Sequence, residues 1–292
     1  MKRLPVIIVL TWAATLLVHA QSISDSFSFE EGTYSGTTLP YRKAVIGVSE
    51  TQKPALVLYL HGGSSKGSNN TAQMNERGID SIYHYLQQAH ETALFLVPQC
   101  PSTASWGGRM NVVLKGLIDQ YVSNGEVDKN RIYIFGGSMG GTGTLNFVSA
   151  YPGLFSAVMA VAANPSQCKI ENVAQSPFYT VMGGADTIMS METMQTFVNQ
   201  LTTLQSDVKM DIEDGWTHEI TCIQSYTTAR LTWVFSHTKG NDAHITTAGD
   251  TCPVSAIVAI YGLDGTRHFT LAPGINVVKT SQGETKKILI RP

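Results

Sequence analysis

The sequence carries little charge and no concentration of basic residues. Charged residues make up 14% of the 292 positions, with 20 Lys and Arg against 22 Asp and Glu. A nucleic-acid-binding protein is expected to show a basic stripe or patch, and the sequence has none, so that class is excluded. Because 43% of the residues are hydrophobic, the chain has enough apolar material for a buried core and lacks the composition of a disordered protein.

Cysteine is scarce, and several site motifs are missing. The four cysteines form no C-x-x-C pair, which excludes a zinc knuckle and a thioredoxin motif; they are Cys100, Cys168, Cys222 and Cys252. His218-Glu219 is not followed by a second histidine, so the H-E-x-x-H zinc motif is absent. The glycines at 136–141 are not followed by the lysine of a Walker phosphate loop. We therefore expect neither a metal nor an organic cofactor.

The chain begins with a segment that resembles a secretion signal. A basic start at residues 1–3 precedes an apolar run at 4–18, and Val18 and Ala20 suit the positions that signal peptidase reads. The run is short for a bilayer span, which needs about 20 residues. We expect cleavage after Ala20 and no stable membrane insertion afterwards; an N-terminal membrane anchor is the alternative. In an oxidising compartment the four cysteines could pair in three ways, and the sequence does not choose among them.

The central part of the sequence alternates between two patterns. Short apolar runs that stop at Gly or Pro predict strands buried on both faces, at residues 55–60, 93–97, 131–135, 155–161 and 177–182. Helix-like stretches lie between and after them, at residues 79–89, 112–122, 142–150 and 191–204. This alternation predicts a doubly wound, mostly parallel α/β sheet within residues 21–238.

The pattern changes after residue 238. Residues 239–253 are polar and without periodicity, which is typical of a linker. Short β-like segments then follow at 256–261, 275–279 and 285–290, with no helix between them. We expect a small all-β module at 254–292, close to the lower size limit for independent folding.

The strongest chemical signal is the glycine-rich passage around Ser138. Gly136-Gly137-Ser138-Met139-Gly140 contains the G-x-S-x-G pattern, in which a sharp strand-to-helix turn exposes a nucleophilic serine. A predicted strand precedes the passage and a predicted helix follows it, which is the context that the pattern requires. The alternative is a glycine-rich turn with an incidental serine.

A nucleophilic serine needs a base and an acid, which follow it in the order Ser, Asp/Glu, His in this architecture. Asp186 lies just after the predicted strand 177–182 and qualifies as the acid. Asp207, Asp211 and Asp214 are rivals, although Asp211 is expected in the middle of a strand as a solvated charge. His218, in the loop after that strand, is the expected base. The other histidines are expected to be surface or loop residues: His84, His90, His237, His244 and His268.

The oxyanion formed during acyl transfer also needs hydrogen-bond donors. The backbone N–H of Met139, directly after the serine, is one expected donor. The other should come from the loop after the first buried strand, at His61-Gly62-Gly63-Ser64. His61 is expected to hold this loop rather than to transfer a proton.

These passages resemble the α/β-hydrolase superfamily. More narrowly they resemble secreted esterases and "predicted peptidases" related to feruloyl esterases, acetylxylan esterases and polyhydroxybutyrate depolymerases. The similar passages are 60–70, 97–101 with Trp106, 128–141 and Trp216-Thr217-His218. The resemblance implies that Trp106 and Trp216 contact substrate. Because the first loop lacks a full H-G-G-G run, Gly63 and Ser64 both stay open as the second oxyanion donor.

The C-terminal module resembles the sorting domains of type IX secretion, on Tyr261-Gly262-Leu263-Asp264-Gly265 and Pro273-Gly274 with a final basic strand. That implies export across an outer membrane by the type IX machinery. The alternative is a β extension packed on the hydrolase. The resemblances together imply a secreted serine esterase acting on acetyl or feruloyl esters of plant polysaccharide. A serine peptidase and a non-catalytic glycan-binding protein are the alternative functions.

Overall fold

The computed structural model describes residues 23–240, 245–247, 257–261, 266–268, 274–280 and 285–290. The expected signal segment at 1–20, most of the expected linker, His244 and Cys252 lie outside the described residues.

An eight-stranded sheet forms the centre of residues 23–240. Its strands run in the order β1-β2-β4-β3-β5-β6-β7-β8. The pairs β1–β2 and β2–β4 are antiparallel, and the remaining neighbours are parallel. The bounds are β1 Ser28–Tyr34, β2 Thr37–Ile46, β3 Ala55–Leu60, β4 Ala93–Pro98, β5 Ile132–Gly137, β6 Ala157–Val161, β7 Phe178–Gly183 and β8 Val208–Glu213. The predicted mostly parallel α/β sheet is confirmed.

Helices cover both faces of this sheet. They are α1 Arg77–Gln88, α2 Arg109–Ser123, α3 Met139–Ala150, α4 Ile170–Val173, α5 Met191–Thr203, α6 His218–Gln224 and α7 Thr228–Phe235. Short 3-10 turns occur at Ile23–Ser26, Gly63–Ser65 and Ala72–Asn75. No helix among the described residues has the length and apolarity needed to cross a bilayer.

The two faces of the sheet contribute to separate apolar cores. In β3, Leu56 and Leu58 pack on one side with residues of α2, α3 and α5, whereas Val57 and Tyr59 pack on the other side with residues of α1 and α7. Alternate side chains of a strand point to opposite faces, so a strand covered on both faces is apolar throughout. This explains the uninterrupted apolar runs in the sequence.

The hairpin of β1 and β2 was not predicted from the sequence. The two strands are joined by Ser35 and Gly36, which both have positive φ angles, of 50° and 74°. A two-residue turn of that kind matches the twist of a hairpin. β1 is polar and largely exposed, as expected for a strand at the edge of a sheet.

The C-terminal strands form a second sheet in the order β11-β10-β12-β13-β9. Their bounds are β9 Ile245–Thr247, β10 Ile257–Tyr261, β11 Arg267–His268, β12 Gly274–Thr280 and β13 Thr285–Ile290. The expected β module therefore contains strands at all three predicted places. The structure differs at 239–253, where a linker was expected, because β9 lies in that interval and pairs in parallel with β13.

Candidate active site

Three loops at one edge of the parallel sheet carry the predicted triad. Ser138 follows β5, Asp186 follows β7, and His218 follows β8 after a short loop. These strands lie close together in the sheet, and the carboxyl ends of parallel strands open at the same edge. Residues far apart in the sequence therefore meet there.

Ser138 occupies a strained turn between β5 and α3. Its φ and ψ are 58° and −122°, which are unusual for a residue with a side chain, and its amide donates to the carbonyl of Val161 at 3.0 Å. The turn requires glycines on both sides. A Cβ on Gly136 would lie 2.4 Å from the carbonyl oxygen of Gly140, and a Cβ on Gly140 would lie 1.8 Å from that of Leu60.

The three predicted side chains form one hydrogen-bonded chain. Ser138 Oγ lies 2.8 Å from His218 Nε2, and His218 Nδ1 lies 2.8 Å from Asp186 Oδ2. Because an ionised Asp186 can only accept, His218 carries its proton on Nδ1 and leaves Nε2 free to accept from the serine hydroxyl. The arrangement can deprotonate Ser138 as its oxygen attacks an electrophile.

Asp186 is held by its own loop. Its second carboxylate oxygen, Oδ1, accepts from the amides of Ile188 and Met189 at 2.8 and 2.9 Å. Burial alone would raise the pKa of Asp186, but hydrogen bonds from Met189, His218 and Ile188 outweigh it and lower that pKa below its usual value. The side chain is fully buried, and its hydrogen bonds keep the carboxylate ionised and fixed in orientation.

His218 is fixed by the start of α6. It is the first residue of that helix, and Thr217 Oγ1 caps the helix by accepting from the Ile220 amide at 3.4 Å. The His218 side chain is only 16% exposed. The cap and the bond to Asp186 together limit the rotation of the imidazole.

The rival aspartates and histidines lie elsewhere. Asp211 was expected to be a solvated charge, and the structure corrects this, because it binds the Arg230 guanidinium at 2.7 Å and accepts from the Tyr179 hydroxyl at 2.8 Å. Asp207 lies 3.0 Å from His237. Asp214, His84 and His90 are exposed.

His61 holds the loop that follows β3, as the sequence indicated. Its Nε2 accepts from the Cys100 amide at 2.9 Å, so its Nδ1 carries the proton and donates to the Gly62 carbonyl at 2.6 Å. Burial lowers the pKa of His61 to about 4. A neutral imidazole with both nitrogens engaged in backbone hydrogen bonds is a structural element and is not available as a base.

The same loop presents two exposed residues, Gly63 and Ser64. The Gly62 amide is already engaged, because it donates to Glu76 Oε1 at 3.0 Å. Met139, on the other side, is the first residue of α3, and the first amides of a helix have no acceptor within the helix. The predicted oxyanion donors therefore lie at a helix start and in a short turn. Sequence reasoning did not find Glu76, which belongs to no local motif.

The structure corrects the expectation that Trp106 contacts substrate. Its side chain is only 3% exposed, and its indole N–H donates to the His61 carbonyl at 3.0 Å. A Cβ on Gly143 would lie 2.1 Å from Trp106 Cβ, so the residue fills the space between the loop and α3. Trp216 is partly exposed, two residues before His218, and stays a candidate for substrate contact.

The three described cysteines, Cys100, Cys168 and Cys222, are not in disulfides. Burial raises the pKa of Cys100 to about 11 and the pKa values of the other two to about 12. Thiols with raised pKa values are poor nucleophiles, so these cysteines pack rather than react.

Two open cavities lie away from the triad. One of about 560 Å³ lies between the loop after β6 and α5, and another of about 550 Å³ lies between that loop and the segment 105–111. Ser138 itself is partly exposed and lines neither of them.

Comparison with known proteins shows what this chain is similar to. The phospholipase/carboxylesterase family matches residues 109–230, a range that includes Ser138, Asp186 and His218. No curated protein matches the sequence. A thermostable esterase of known structure is similar at 25% identity and a TM-score of 0.70, over 74% of this chain and 64% of its own. The chain thus spans less than two thirds of that esterase.

Two more distant structures share the fold. The feruloyl esterase module from Clostridium thermocellum, complexed with sinapinate, has a TM-score of 0.58 at 12% identity, over 72% of this chain and 88% of its own. A puromycin-hydrolysing peptidase from Mycobacterium tuberculosis has a TM-score of 0.59 at 14% identity, over 76% and 42%. The fold is that of the α/β-hydrolases, and the family match and the esterase neighbour support a serine hydrolase.

Proposed function

We propose that this protein is a secreted carboxylic ester hydrolase that cleaves acetyl or feruloyl esters on plant polysaccharide. The observation that carries the proposal is the hydrogen-bonded chain from Ser138 through His218 to Asp186, built on a strained turn at the edge of the sheet. Backbone strain of this kind exposes a hydroxyl at the cost of local stability and is typical of a catalytic nucleophile.

In the proposed reaction Ser138 Oγ attacks the ester carbonyl carbon while His218 Nε2 takes the hydroxyl proton. The carbonyl oxygen becomes an oxyanion, which the Met139 amide and the amide of Gly63 or Ser64 stabilise. His218 then gives its proton to the leaving alcohol, and the acyl group remains on Ser138. A water molecule, deprotonated by His218, releases the acid and restores the serine.

Asp186 keeps His218 in the tautomer that this cycle needs. The Asp186 carboxylate accepts from Nδ1–H and stabilises the imidazolium that forms when Nε2 takes the proton. The side chains of the triad and the backbone amides supply the nucleophile, the base and the oxyanion donors. The reaction therefore requires no metal or organic cofactor.

The substrate class is inferred from the similar proteins and from the exposure of the site. A feruloyl esterase module shares the fold, and Ser138 is partly exposed, as attack on an ester attached to a bulky polymer requires. Partly exposed Trp216, next to His218, is suited to contact a sugar ring or an aromatic acyl group.

A serine peptidase is the second candidate, because a puromycin-hydrolysing peptidase shares the fold and the same triad can cleave amides. Assays with p-nitrophenyl acetate, methyl ferulate and a peptide panel distinguish these functions. We expect turnover of the two esters and little cleavage of the peptides. Preferential cleavage of peptides would favour the peptidase, and no turnover with retained glycan binding would favour a non-catalytic glycan-binding protein.

Ser138→Ala tests the nucleophile directly. The variant removes one hydroxyl and almost no packing volume, so we expect ester turnover and fluorophosphonate labelling to disappear while the melting temperature stays close to that of the wild type. Ser236→Ala, which removes an exposed hydroxyl that donates to the Trp233 carbonyl, is the matched control. Labelling of another serine in Ser138→Ala would contradict the assignment.

We propose secretion on the basis of residues 1–20 and 254–292, as signal peptide and type IX sorting module. None of the proposed catalytic residues lies in the C-terminal segment. A chain truncated after Thr238 should therefore keep its esterase activity but remain in the periplasm of the native host. Normal export of the truncated chain together with a sharply lower melting temperature would instead identify a structural extension.

A further inference from the structure

Glu76 joins the loop after β3 to the start of α1. Its carboxylate oxygen Oε1 accepts two hydrogen bonds, from the Gly62 amide at 3.0 Å and from the Ser65 hydroxyl at 2.8 Å. Ser65 is 5% exposed, so its hydroxyl is largely withdrawn from water. Glu76 thus binds both ends of a turn whose two central residues are Gly63 and Ser64.

Those two bonds anchor the turn on either side of Gly63 and Ser64. The Gly62 amide and the Ser65 hydroxyl are both held by Glu76 Oε1. A Cβ on Gly62 would lie 3.4 Å from Glu76 Oε1 and 3.8 Å from the Gly137 carbonyl oxygen. The turn is therefore packed between the glutamate and the strand that carries Ser138, and a small movement of Glu76 would shift the turn relative to the nucleophile.

The Glu76 side chain is not engaged by α1 in the described part of the chain. Glu76 is the N-cap residue of α1, but its side chain makes no cap hydrogen bond, and no ion pair among the described residues includes it. The neighbouring Arg77 pairs with Asp80 instead.

Cys222 lies beside the nucleophile turn and within the electrostatic influence of Glu76. Burial, with the Glu76 charge as a smaller cause, raises the pKa of Cys222 to about 12. The Cys222 sulfur lies 3.4 Å from the position of a Cβ on Gly137, directly before Ser138. Cys222 belongs to α6, the helix that begins with His218. Glu76 thus lies where the turn after β3, the nucleophile turn and the histidine helix meet.

We propose that Glu76 is a positioning residue that sets the oxyanion donors of the turn 62–65 at the correct distance from Ser138. The inference rests on the proposed function. Glu76 touches no reacting atom, so its effect appears in the rate of attack by Ser138 and little in the binding of a small ester.

The test measures fluorophosphonate labelling of Ser138 by intact-protein mass spectrometry. In that reaction the Oγ–P bond forms, the P–F bond breaks, fluoride leaves and the hydroxyl proton passes to His218. The phosphoryl oxygen takes the place of the oxyanion, so the labelling rate depends on the donors but not on the identity of the natural ester. Labelling rates, and kcat and KM for p-nitrophenyl acetate, are compared for the wild type, Glu76→Ala, Glu76→Gln and Asp80→Asn.

We expect Glu76→Ala to slow labelling and lower kcat about 100-fold with little change in KM, because displaced donors cost about that much. Glu76→Gln keeps an oxygen at Oε1 that can accept both bonds, so it should stay within about tenfold of the wild type. Asp80→Asn, which removes a surface partner of Arg77 on the same helix, should react at the wild-type rate.

Wild-type labelling rates in Glu76→Ala, or equal losses in Glu76→Gln and Glu76→Ala, would overturn the proposal. If Glu76→Ala does not fold, Ser65→Ala replaces it, and a labelling rate unchanged from the wild type would overturn the proposal in the same way. A wild-type protein that is labelled but hydrolyses no ester would contradict the proposed substrate class alone. A wild-type protein that takes no label would contradict both proposals.

Discussion

Asp186 follows β7 and binds a histidine, whereas Asp211 lies inside β8 and binds an arginine. Both use Oδ2 for the bond, at 2.8 and 2.7 Å. The Asp186 side chain is fully buried and receives two loop amides on its other oxygen, while the Asp211 side chain is 38% exposed and shares Arg230 with Glu213. Two similar bonds therefore belong to two different kinds of site.

The partner decides what each carboxylate can do. Burial would lower the pKa of Arg230, but its hydrogen bonds to Asp211 and Glu213 outweigh burial and raise that pKa above its ordinary value. Arg230 therefore stays charged. The imidazole of His218 donates to Asp186 through one nitrogen and accepts from Ser138 through the other, so this pair can take up and release the serine proton. We infer that the Arg230 group ties β8 to α7, whereas the Asp186 loop serves the reaction.

Replacing the Asp186 carboxylate by an amide should have the largest effect of these variants, on kcat. Asp186→Asn presents an amide to His218 and favours the wrong tautomer, so kcat for p-nitrophenyl acetate should fall about 10⁴-fold with KM nearly unchanged. The melting temperature should fall only slightly. If Asp211→Asn or Asp214→Asn lowers kcat more than Asp186→Asn, the acid of the triad has been misassigned.

The same substitution at Asp211 should lower the stability of the fold and leave kcat almost unchanged. Asp211→Asn leaves Arg230 with Glu213 and the Ser225 carbonyl, so kcat should stay within about threefold while the free energy of unfolding falls by about 1–2 kcal/mol. The expected loss of unfolding free energy is smaller than for a fully buried ion pair, because Asp211 is partly exposed and water screens its charge. Urea unfolding of the wild type and Asp211→Asn measures this change, with Asp80→Asn as a surface control. If Asp211→Asn lowered kcat strongly as well as the free energy of unfolding, the Arg230 group would also serve the reaction, which would contradict the distinction between the two sites.

Acid should reveal the smallest effect on stability. The lowered pKa of Asp186 means that its ionised form stabilises the folded state above the ordinary value of 3.8, and this contribution is lost as pH falls through the lowered pKa. The difference in unfolding free energy between the wild type and Asp186→Asn should therefore be constant from neutral pH down to about 3.8 and shrink below it. Urea unfolding at several pH values measures the difference. A difference that shrinks well above pH 3.8 would contradict the assigned hydrogen bonds.

The sequence predicted the buried strands well because burial on both faces leaves a strong local signal. The run at 55–60 coincides with β3, and that at 177–182 differs from β7 by one residue at each end. The β1–β2 hairpin left no such signal, since β1 is an exposed polar edge strand and β2 contains Pro40. Its turn depends on positive φ angles at Ser35 and Gly36, which composition alone does not indicate.

The candidate site was predictable where a residue lies in a recognisable motif or follows the expected order of Ser, Asp and His along the chain. Ser138 lies in a recognisable turn, and Asp186 and His218 follow strands in the expected order, and the structure brings all three into hydrogen-bonding contact. Trp106 was misassigned because a sequence does not show which side of a loop a side chain occupies. Glu76 was missed because its partners, Gly62 and Ser65, lie more than ten residues away and follow no motif.

Two glycines near Ser138, one at the start of α3 and one in the loop after β3, differ in the space available for a side chain. A Cβ at Gly140 would collide with the Leu60 carbonyl at 1.8 Å, whereas a Cβ at Gly63 meets no described atom within 4 Å. Sequence variation that preserves folding is therefore blocked at the first position and open at the second. A lineage descended from this protein could acquire side chains at position 63 that reach the substrate, while the turn that carries the nucleophile keeps its glycine. New specificities would then arise on the side of the loop after β3.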